Sequence, residues 1–413
     1  MTSTLSHPAL RGNRTHRAHA GRRRFALPGV ASGSFWVLAA VVTVLNMIGL
    51  VMVMSASSVV SVHESGEPWS YVERQVMWTG FGLVALMATL AISVDFWRRY
   101  ARVWLMLTIG ALLLVLVPGI GVRVNGARRW LGAGPLQVQP SEFAKFALLL
   151  FVADLLARRS DHVDDWRWTL APVVAYLGVV AGLIMLEPNL GTTIIIATMV
   201  LVMLLAAGVP LIPLGITTFV GAAVAGAFVA FTPFRRARFL RFLNPMGDPL
   251  GSGLQNVQSL VGLANGGLLG RGLGQSTVKW GYLPYAWTDF IFAVIGEEWG
   301  LTGAMFVVLL YLVLAAVGAW VAFQAEDRFA MLVAVGITAW LTVQALMNIG
   351  AVLSIMPITG VPLPFVSFGG SSLVVNLAAM GMLLNIARHP VEQRRVGRRR
   401  GARPVGRRGA PAR

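Results

Sequence analysis

An all-α, polytopic membrane protein with ten transmembrane helices is the fold class this sequence predicts, and three observations carry the prediction. The first is composition. Of 413 residues, 56% are hydrophobic and only 12% are charged, with a mean hydropathy of +0.71. A soluble chain of this size cannot hide that much apolar surface. The second is the form of the apolar stretches. They are continuous and about twenty residues long, which suits helices rather than the ten-residue alternation of a barrel. The third is charge. The net +17 sits largely in basic, Arg-, Gly- and Pro-rich ends, and the short loops alternate between basic and acidic as the positive-inside rule requires.

The ten apolar segments run roughly over 34–60, 73–93, 101–118, 141–157, 168–186, 189–207, 210–231, 291–322, 329–355 and 370–387. The first is too long, and the tail before it too polar, for a cleaved signal peptide. An even count puts residues 1–33 and 388–413 on one side, as disordered basic cytoplasmic tails. Arg398, Arg399 and Arg400 then meet anionic lipid rather than nucleic acid. Arg98, Arg99 and Arg102, and Arg158, Arg159 and Arg167, fall inside. The loop with Glu64 and Glu67 falls outside. Pro118, Pro172, Pro188, Pro210 and Pro213 mark segment ends.

Residues 34–387 form the membrane domain, interrupted by one long loop, 232–290, which the count places outside. Leu254, Val257, Leu260, Val261 and Leu263 give it an apolar face and predict a short interfacial helix. Ser276 is a natural position for labelling from outside. Arg123, Arg128 and Arg129, and the cluster Arg235, Arg236, Arg238 and Arg241, are also placed outside, against the charge rule. There are no cysteines, so neither a disulfide nor a thiolate is available.

Several polar groups stand where a bilayer penalises them. Glu142 and Lys145 follow Pro140 and Ser141 with i, i+3 spacing, so they share a helix face. Ser141 or Glu142 is a candidate cap. Lys145 either holds two helices in an ion pair or meets an anionic substrate. Glu187, Pro188 and Asn189 join two spans with almost no loop, and Asn189 is placed to cap the second. The run from Asn265 to Gly274 lacks the lysine and hydroxyl residue of a nucleotide-binding loop. Its glycines let backbone approach the membrane surface or a ligand closely, and freed N–H groups could cradle a pyrophosphate. Asp289 stands where this loop re-enters an apolar segment, as a helix cap or as a carboxylate tuned for proton abstraction. Glu297 and Glu298 lie two turns deeper and need cationic partners.

These residues fall into motifs: Asn125-Gly126-Ala127-Arg128-Arg129-Trp130-Leu131, Gln139-Pro140-Ser141-Glu142 with Lys145, Glu187-Pro188-Asn189-Leu190-Gly191-Thr192, the Asn265–Gly274 run, Thr288-Asp289-Phe290, Gly296-Glu297-Glu298, and Pro362-Leu363-Pro364-Phe365-Val366-Ser367-Phe368-Gly369-Gly370-Ser371-Ser372. With them, from about Phe35 to Ile386, the chain resembles the SEDS family (shape, elongation, division and sporulation), in its division branch and with an actinobacterial look. The resemblance implies a ten-helix peptidoglycan glycosyltransferase that polymerises lipid II at the outer face of the inner membrane, at the division septum. It implies a class B penicillin-binding protein transpeptidase and other divisome proteins as partners. The family's essential aspartate maps onto Asp289, which becomes the general base, with undecaprenyl pyrophosphate as the leaving group. Arg128, Arg129, Lys145, Arg271 and Lys279 become substrate-binding candidates. Glu142, Glu187, Glu297, Glu298, Ser367 and Ser371 become supporting residues. No cofactor is implied; a divalent cation, Mg or Mn, is left open on the leaving-group side. Tyr285 and Trp287 stand where the family commonly has Glu and His, and Phe368 where it usually has Tyr. A proton relay through that His is therefore not available here. A lipid II flippase and a non-catalytic divisome scaffold are the alternative readings.

Overall fold

The structure is a computed structural model. It describes residues 32–388 except 125, 135, 233–235, 237–241, 243, 244, 250, 252 and 326. The two basic tails thus lie almost wholly outside the described residues, as do Arg235, Arg238 and Arg241.

Ten long helices account for the ten apolar segments. They are α1 (Gly33–Ser65), α2 (Ser70–Ala91), α3 (Val94–Leu116), α4 (Pro140–Arg158), α5 (Leu170–Leu186), α6 (Leu190–Ala207) and α7 (Leu211–Phe231), then α9 (Ile291–Gln324), α10 (Arg328–Val352) and α11 (Gly370–Ala387). A short α8 (Leu254–Gly266) lies in the long loop. By length and composition seven of them, α1, α3, α6, α7, α9, α10 and α11, can cross a membrane, and α5 is apolar but shorter. α2 and α4 fall outside that group, and both carry charged residues in their first turns, Glu73 in α2 and Glu142 in α4.

Local chemistry sets the boundaries. Ser32, Asn189 and Asp327 cap α1, α6 and α10 through their side chains. α4 opens with Pro140 at its first position, as expected, but its cap residue is Gln139 and not Ser141 or Glu142. α3 starts a full turn and more before the expected 101. Arg98, Arg99 and Arg102 therefore lie within the helix, and Arg98 bonds Asp154 of α4 at 3.1 Å.

α4 is buried on nearly all sides, from Ala144 and Leu148 to Leu156, and forms the axis of the bundle. α2 and α11 run side by side through small residues. A Cβ at Gly82 would collide with Leu377, and one at Gly370 with Trp78. α7 is the opposite case. Only Leu214 of it is buried, so its apolar surface faces outward from the bundle.

One architectural feature departs from the all-α expectation. Residues 122–138 fold as a small antiparallel sheet, β1 (Val122–Val124), β2 (Ala127–Ala133) and β3 (Leu136–Val138), in the order β1-β2-β3. Val122 pairs with Trp130, Arg123 with Arg128, and Leu131 with Val138. Gly126 turns the first hairpin at φ +80. An Asn-Gly pair flanked by β-branched and aromatic residues is the short-range hairpin signal. It places Arg128 and Arg129 on a strand.

α8 confirms the short helix expected within the loop, and its buried face is small and polar. Asn256, Ser259, Gly262 and Gly266 face inward, and the Ser259 hydroxyl donates to the Val352 carbonyl at 2.9 Å. Val261 stays exposed. Ser276, expected to be accessible, is fully buried against α9. Gln275, next to it, is exposed.

Candidate active site

Asp289 sits in the turn before α9, half-buried. The cap residue of the helix is Phe290, whose side chain offers no cap bond. The turn is tight: the N–H groups of Thr288 and Phe290 both donate to the Tyr285 carbonyl, at 3.1 and 3.4 Å. A narrow cleft, too tight to admit a water molecule as it stands, borders Asp289 between the start of α9, Asn348 and Ala351 of α10, and the segment 358–361. Gly360 has φ +70, and a Cβ there would stand 3.5 Å from Asp289 Oδ2. Glycine thus satisfies the backbone and keeps that side of the carboxylate open.

The glycine run is a place of close backbone approach, as its composition predicts. It packs into a break in α9. Gly300 is non-helical, with φ 69 and ψ −168. The N–H groups of Leu301 and Thr302 turn to the carbonyls of Gly267 and Leu268, at 2.9 and 3.2 Å. In return Arg271 and Gly272 donate to the carbonyls of Glu297 and Glu298, both at 3.0 Å. A Cβ at Gly270 would collide with the Glu298 carbonyl. The Arg271 and Gly272 N–H donors are thus spent on the helix.

Glu297 and Glu298 anchor the segment from Gly274 to Lys279. The Glu297 carboxylate is fully buried and accepts from the Ser276 hydroxyl (2.6 Å), the Thr277 hydroxyl (2.5 Å) and the Thr277 and Val278 N–H groups (3.1 and 3.2 Å). Arg271 reaches it at 3.5 Å and remains part-exposed. Glu298 accepts from Lys279 (3.2 Å) and from the Ser55 hydroxyl of α1 (2.6 Å). Lys279 also donates to Ser55 and to the Gly274 carbonyl, and is enclosed.

Lys145 is enclosed too. Its ammonium pairs with Glu142 at 2.8 Å, donates to Gln344 Oε1 at 2.9 Å, and lies 4.8 Å from the centre of the Trp340 ring. Arg129 donates to the carbonyls of Glu187 and Pro188. The Glu187 carboxyl is buried in the turn between α5 and α6. Burial pushes its pKa up to about 8, against the pull of Arg129 and Ser141. Ser367 accepts from the Leu363 N–H (2.8 Å), and Ser371 from the Gln139 N–H (3.3 Å). Both hold backbone. Among the described residues no group of three or more His, Cys, Asp or Glu side chains comes together to hold a metal, and no residue is assigned to the divalent cation.

Known proteins are similar to this chain in sequence and in fold. Residues 35–392 match the model of the FtsW, RodA and SpoVE cell cycle protein family. The chain belongs to this family. It is 37% identical over 354 residues to stage V sporulation protein E of Bacillus subtilis, covering 86% of this chain and 97% of that one. It is 40% identical over 373 residues to the probable peptidoglycan glycosyltransferase FtsW of Mycobacterium tuberculosis, covering 90% of this chain and 71% of that one. Among solved structures it resembles a chain of a peptidoglycan synthase complex that coordinates polymerization and crosslinking. There the TM-score is 0.71 and the identity 29%, over 87% of this chain and 98% of the other. The rod shape determining protein RodA of Thermus thermophilus is also similar, with a TM-score of 0.65 and 28% identity over 87% of this chain and 98% of that one.

Within this SEDS-family chain, Tyr285, Trp287 and Phe368, the three positions expected to depart from the family motif, converge. Trp287 and Phe368 both pack on Tyr71, with ring centres 5.4 and 5.2 Å away, and Tyr285 lies 6.2 Å from Trp287. The Phe368 N–H donates to the Trp287 carbonyl at 3.1 Å. Sequence reasoning missed Gln344, Asn348 and Gly360. The two amides are polar residues inside an apolar span, four apart, and that cost was the available signal. Arg74, exposed and 5.8 Å from the Tyr71 ring centre, was missed as well.

Proposed function

We propose that this chain is a peptidoglycan glycosyltransferase that polymerises lipid II, with Asp289 as its general base. The observation that carries the reading is the carboxylate at the mouth of α9. It is half-buried and borders a narrow cleft beside Gly360, in a chain whose relatives are named probable peptidoglycan glycosyltransferases. A sugar hydroxyl is a poor nucleophile until its proton is removed. Asp289 takes the proton of the acceptor 4-hydroxyl as its oxygen bonds the anomeric carbon of the donor sugar. The bond from that carbon to the pyrophosphate oxygen breaks, and undecaprenyl pyrophosphate leaves with the electron pair. Direct attack inverts the anomeric centre. A pyrophosphate needs charge neutralisation rather than a protonating acid, so one carboxylate plus cations suffices, in place of the two carboxylates of a glycosidase. The part-exposed guanidinium groups of Arg271 and Arg128 fit that neutralising role, because Arg grips phosphate oxygens in pairs. Arg129, Lys145 and Lys279 are engaged within the protein, by the Glu187 and Pro188 carbonyls, by Glu142 and Gln344, and by Glu298 and Ser55 respectively, and remain candidates for the substrate's phosphates only if those bonds exchange.

The ten long helices support ten crossings, with both ends cytoplasmic and the 232–290 segment outside, at the septal membrane. The likeness to a chain of a synthase complex supports a class B penicillin-binding protein as partner, among other divisome proteins. The lipid II flippase reading requires alternating access and coupling groups at the membrane midplane. The purified protein with lipid II and its transpeptidase partner should build glycan chains. A vesicle translocation assay that moves lipid II while no chains form would replace polymerase with flippase.

A further inference from the structure

α10 carries Trp340, Gln344 and Asn348 at i, i+4 and i+8, so the three share one face of a helix that is otherwise apolar. A buried amide in such a helix is costly unless both its ends are used. Gln344 Oε1 accepts from Lys145 and from Trp340 Nε1 (2.8 Å), and its Nε2 donates to the Pro362 carbonyl at 2.9 Å. One turn on, Asn348 is 2% exposed. Its Nδ2 donates twice, to the Asp289 carbonyl and to the Val361 carbonyl, both at 2.8 Å, while its buried Oδ1 has no hydrogen-bond partner among the described residues, so the cost of burying this amide is offset at one end only. Two carbonyl partners fix the orientation of the amide, because only the NH₂ end can serve both.

The consequence falls on Asp289. Phe290 gives its helix no side-chain cap, so the peptide that carries the carboxylate is tied down from α10. The same amide ties down the segment whose Gly360 faces Asp289 Oδ2. One side chain therefore ties the Asp289 peptide to the segment that ends at Val361.

We propose that Asn348 is a positioning residue for glycosyl transfer. It sets where the Asp289 carboxylate stands relative to the acceptor hydroxyl, without touching substrate. The proposal rests on the reading of Asp289 as base. Misplacing a reacting group by about 1 Å costs on the order of 100-fold in rate. Asn348→Leu, which removes both donors, should lower kcat for chain formation by about 100-fold, with KM for lipid II changed by no more than about threefold. Asn348→Gln, which restores the donors, should recover at least about tenfold of that loss. If Asn348→Leu is not recovered folded, Asn348→Ser, with a single donor, should show the same split at a smaller size. A raised KM at unchanged kcat would make the amide a substrate contact and overturn the proposal. So would a parental kcat in a folded Asn348→Leu. Asp289→Asn, assayed alongside, separates the two claims. If it is inactive while Asn348→Leu is fully active, only the positioning role falls. If Asp289→Asn is fully active, the base assignment falls and the positioning role with it.

Discussion

Glu187 is the residue whose titration the structure exposes most plainly. Its carboxyl lies buried in the turn between α5 and α6, and burial raises its pKa from 4.5 to about 8. The folded protein therefore holds this proton more tightly than the unfolded chain does. The stabilisation is complete below about pH 4.5, declines as pH rises, and is lost above about pH 8. Glu187→Gln removes the titration. In detergent, the apparent Tm of the parent should fall between pH 5 and pH 9 by more than that of the variant, and the variant should be the more stable at pH 9. Parallel pH profiles would refute the buried neutral carboxyl. Charged residues such as Glu187, Lys145 and Glu297 were legible in the sequence because a charge in an apolar run is conspicuous. Their partners were not. Whether Lys145 meets Glu142 and Gln344 or a substrate depends on which helices stand beside α4, and no local pattern encodes that. Asn348 went unnoticed because a single amide perturbs hydropathy little, although it touches the residue the sequence marked most clearly.

At the scale of elements, the informative unit is α9 with the loop plugged into its break at Gly300. Glu297 gathers the hydroxyl and N–H groups of residues 276–278 around a fully buried carboxylate. Glu297→Gln keeps the shape but loses the charge and one acceptor oxygen, which costs about 1–3 kcal/mol of local stability. The amides of Thr277 and Val278 should then exchange hydrogen faster than in the parent, with those of α4 unaffected. Unchanged exchange at those two amides would show that the loop is held otherwise. Most helices were legible to within a turn of their ends, since runs of about twenty apolar residues bounded by Pro, Asn or Ser leave little choice, whereas the charged start of α3 and the polar end of α1 hid where those helices run on. The sheet was not. β1 and β3, of three residues each, are too short for an alternation to register, β2 has seven residues with Arg128 and Arg129 adjacent, and only the Asn125-Gly126 pair signalled the hairpin. The glycine run was legible as a place of close backbone approach. What it approaches is α9 itself, which only the break at Gly300 reveals.

For the whole molecule, orientation is the claim on which the site's access to substrate depends. The chain is free of cysteine, so a single introduced cysteine reports cleanly. Ser276 is buried, so Gln275, which is exposed beside it, is the position to use. Gln275→Cys in intact cells should react with a membrane-impermeant maleimide. Reaction only after permeabilisation would turn the 232–290 segment inward and leave Asp289 on the wrong face for chain growth. The all-α polytopic membrane character and the family were readable from hydropathy and motifs because these are properties of the chain itself. The crevice at Asp289 was not, because α9, α10 and the 358–361 segment build it from distant parts of the sequence. The central claim is that this crevice holds a general base, and the rate of glycan chain formation from lipid II by Asp289→Asn tests it most directly. The substitution keeps size and polarity but cannot accept the proton. A folded variant that still binds lipid II and its partner should polymerise about two to four orders of magnitude more slowly than the parent. A rate within a few-fold of the parent would contradict the account.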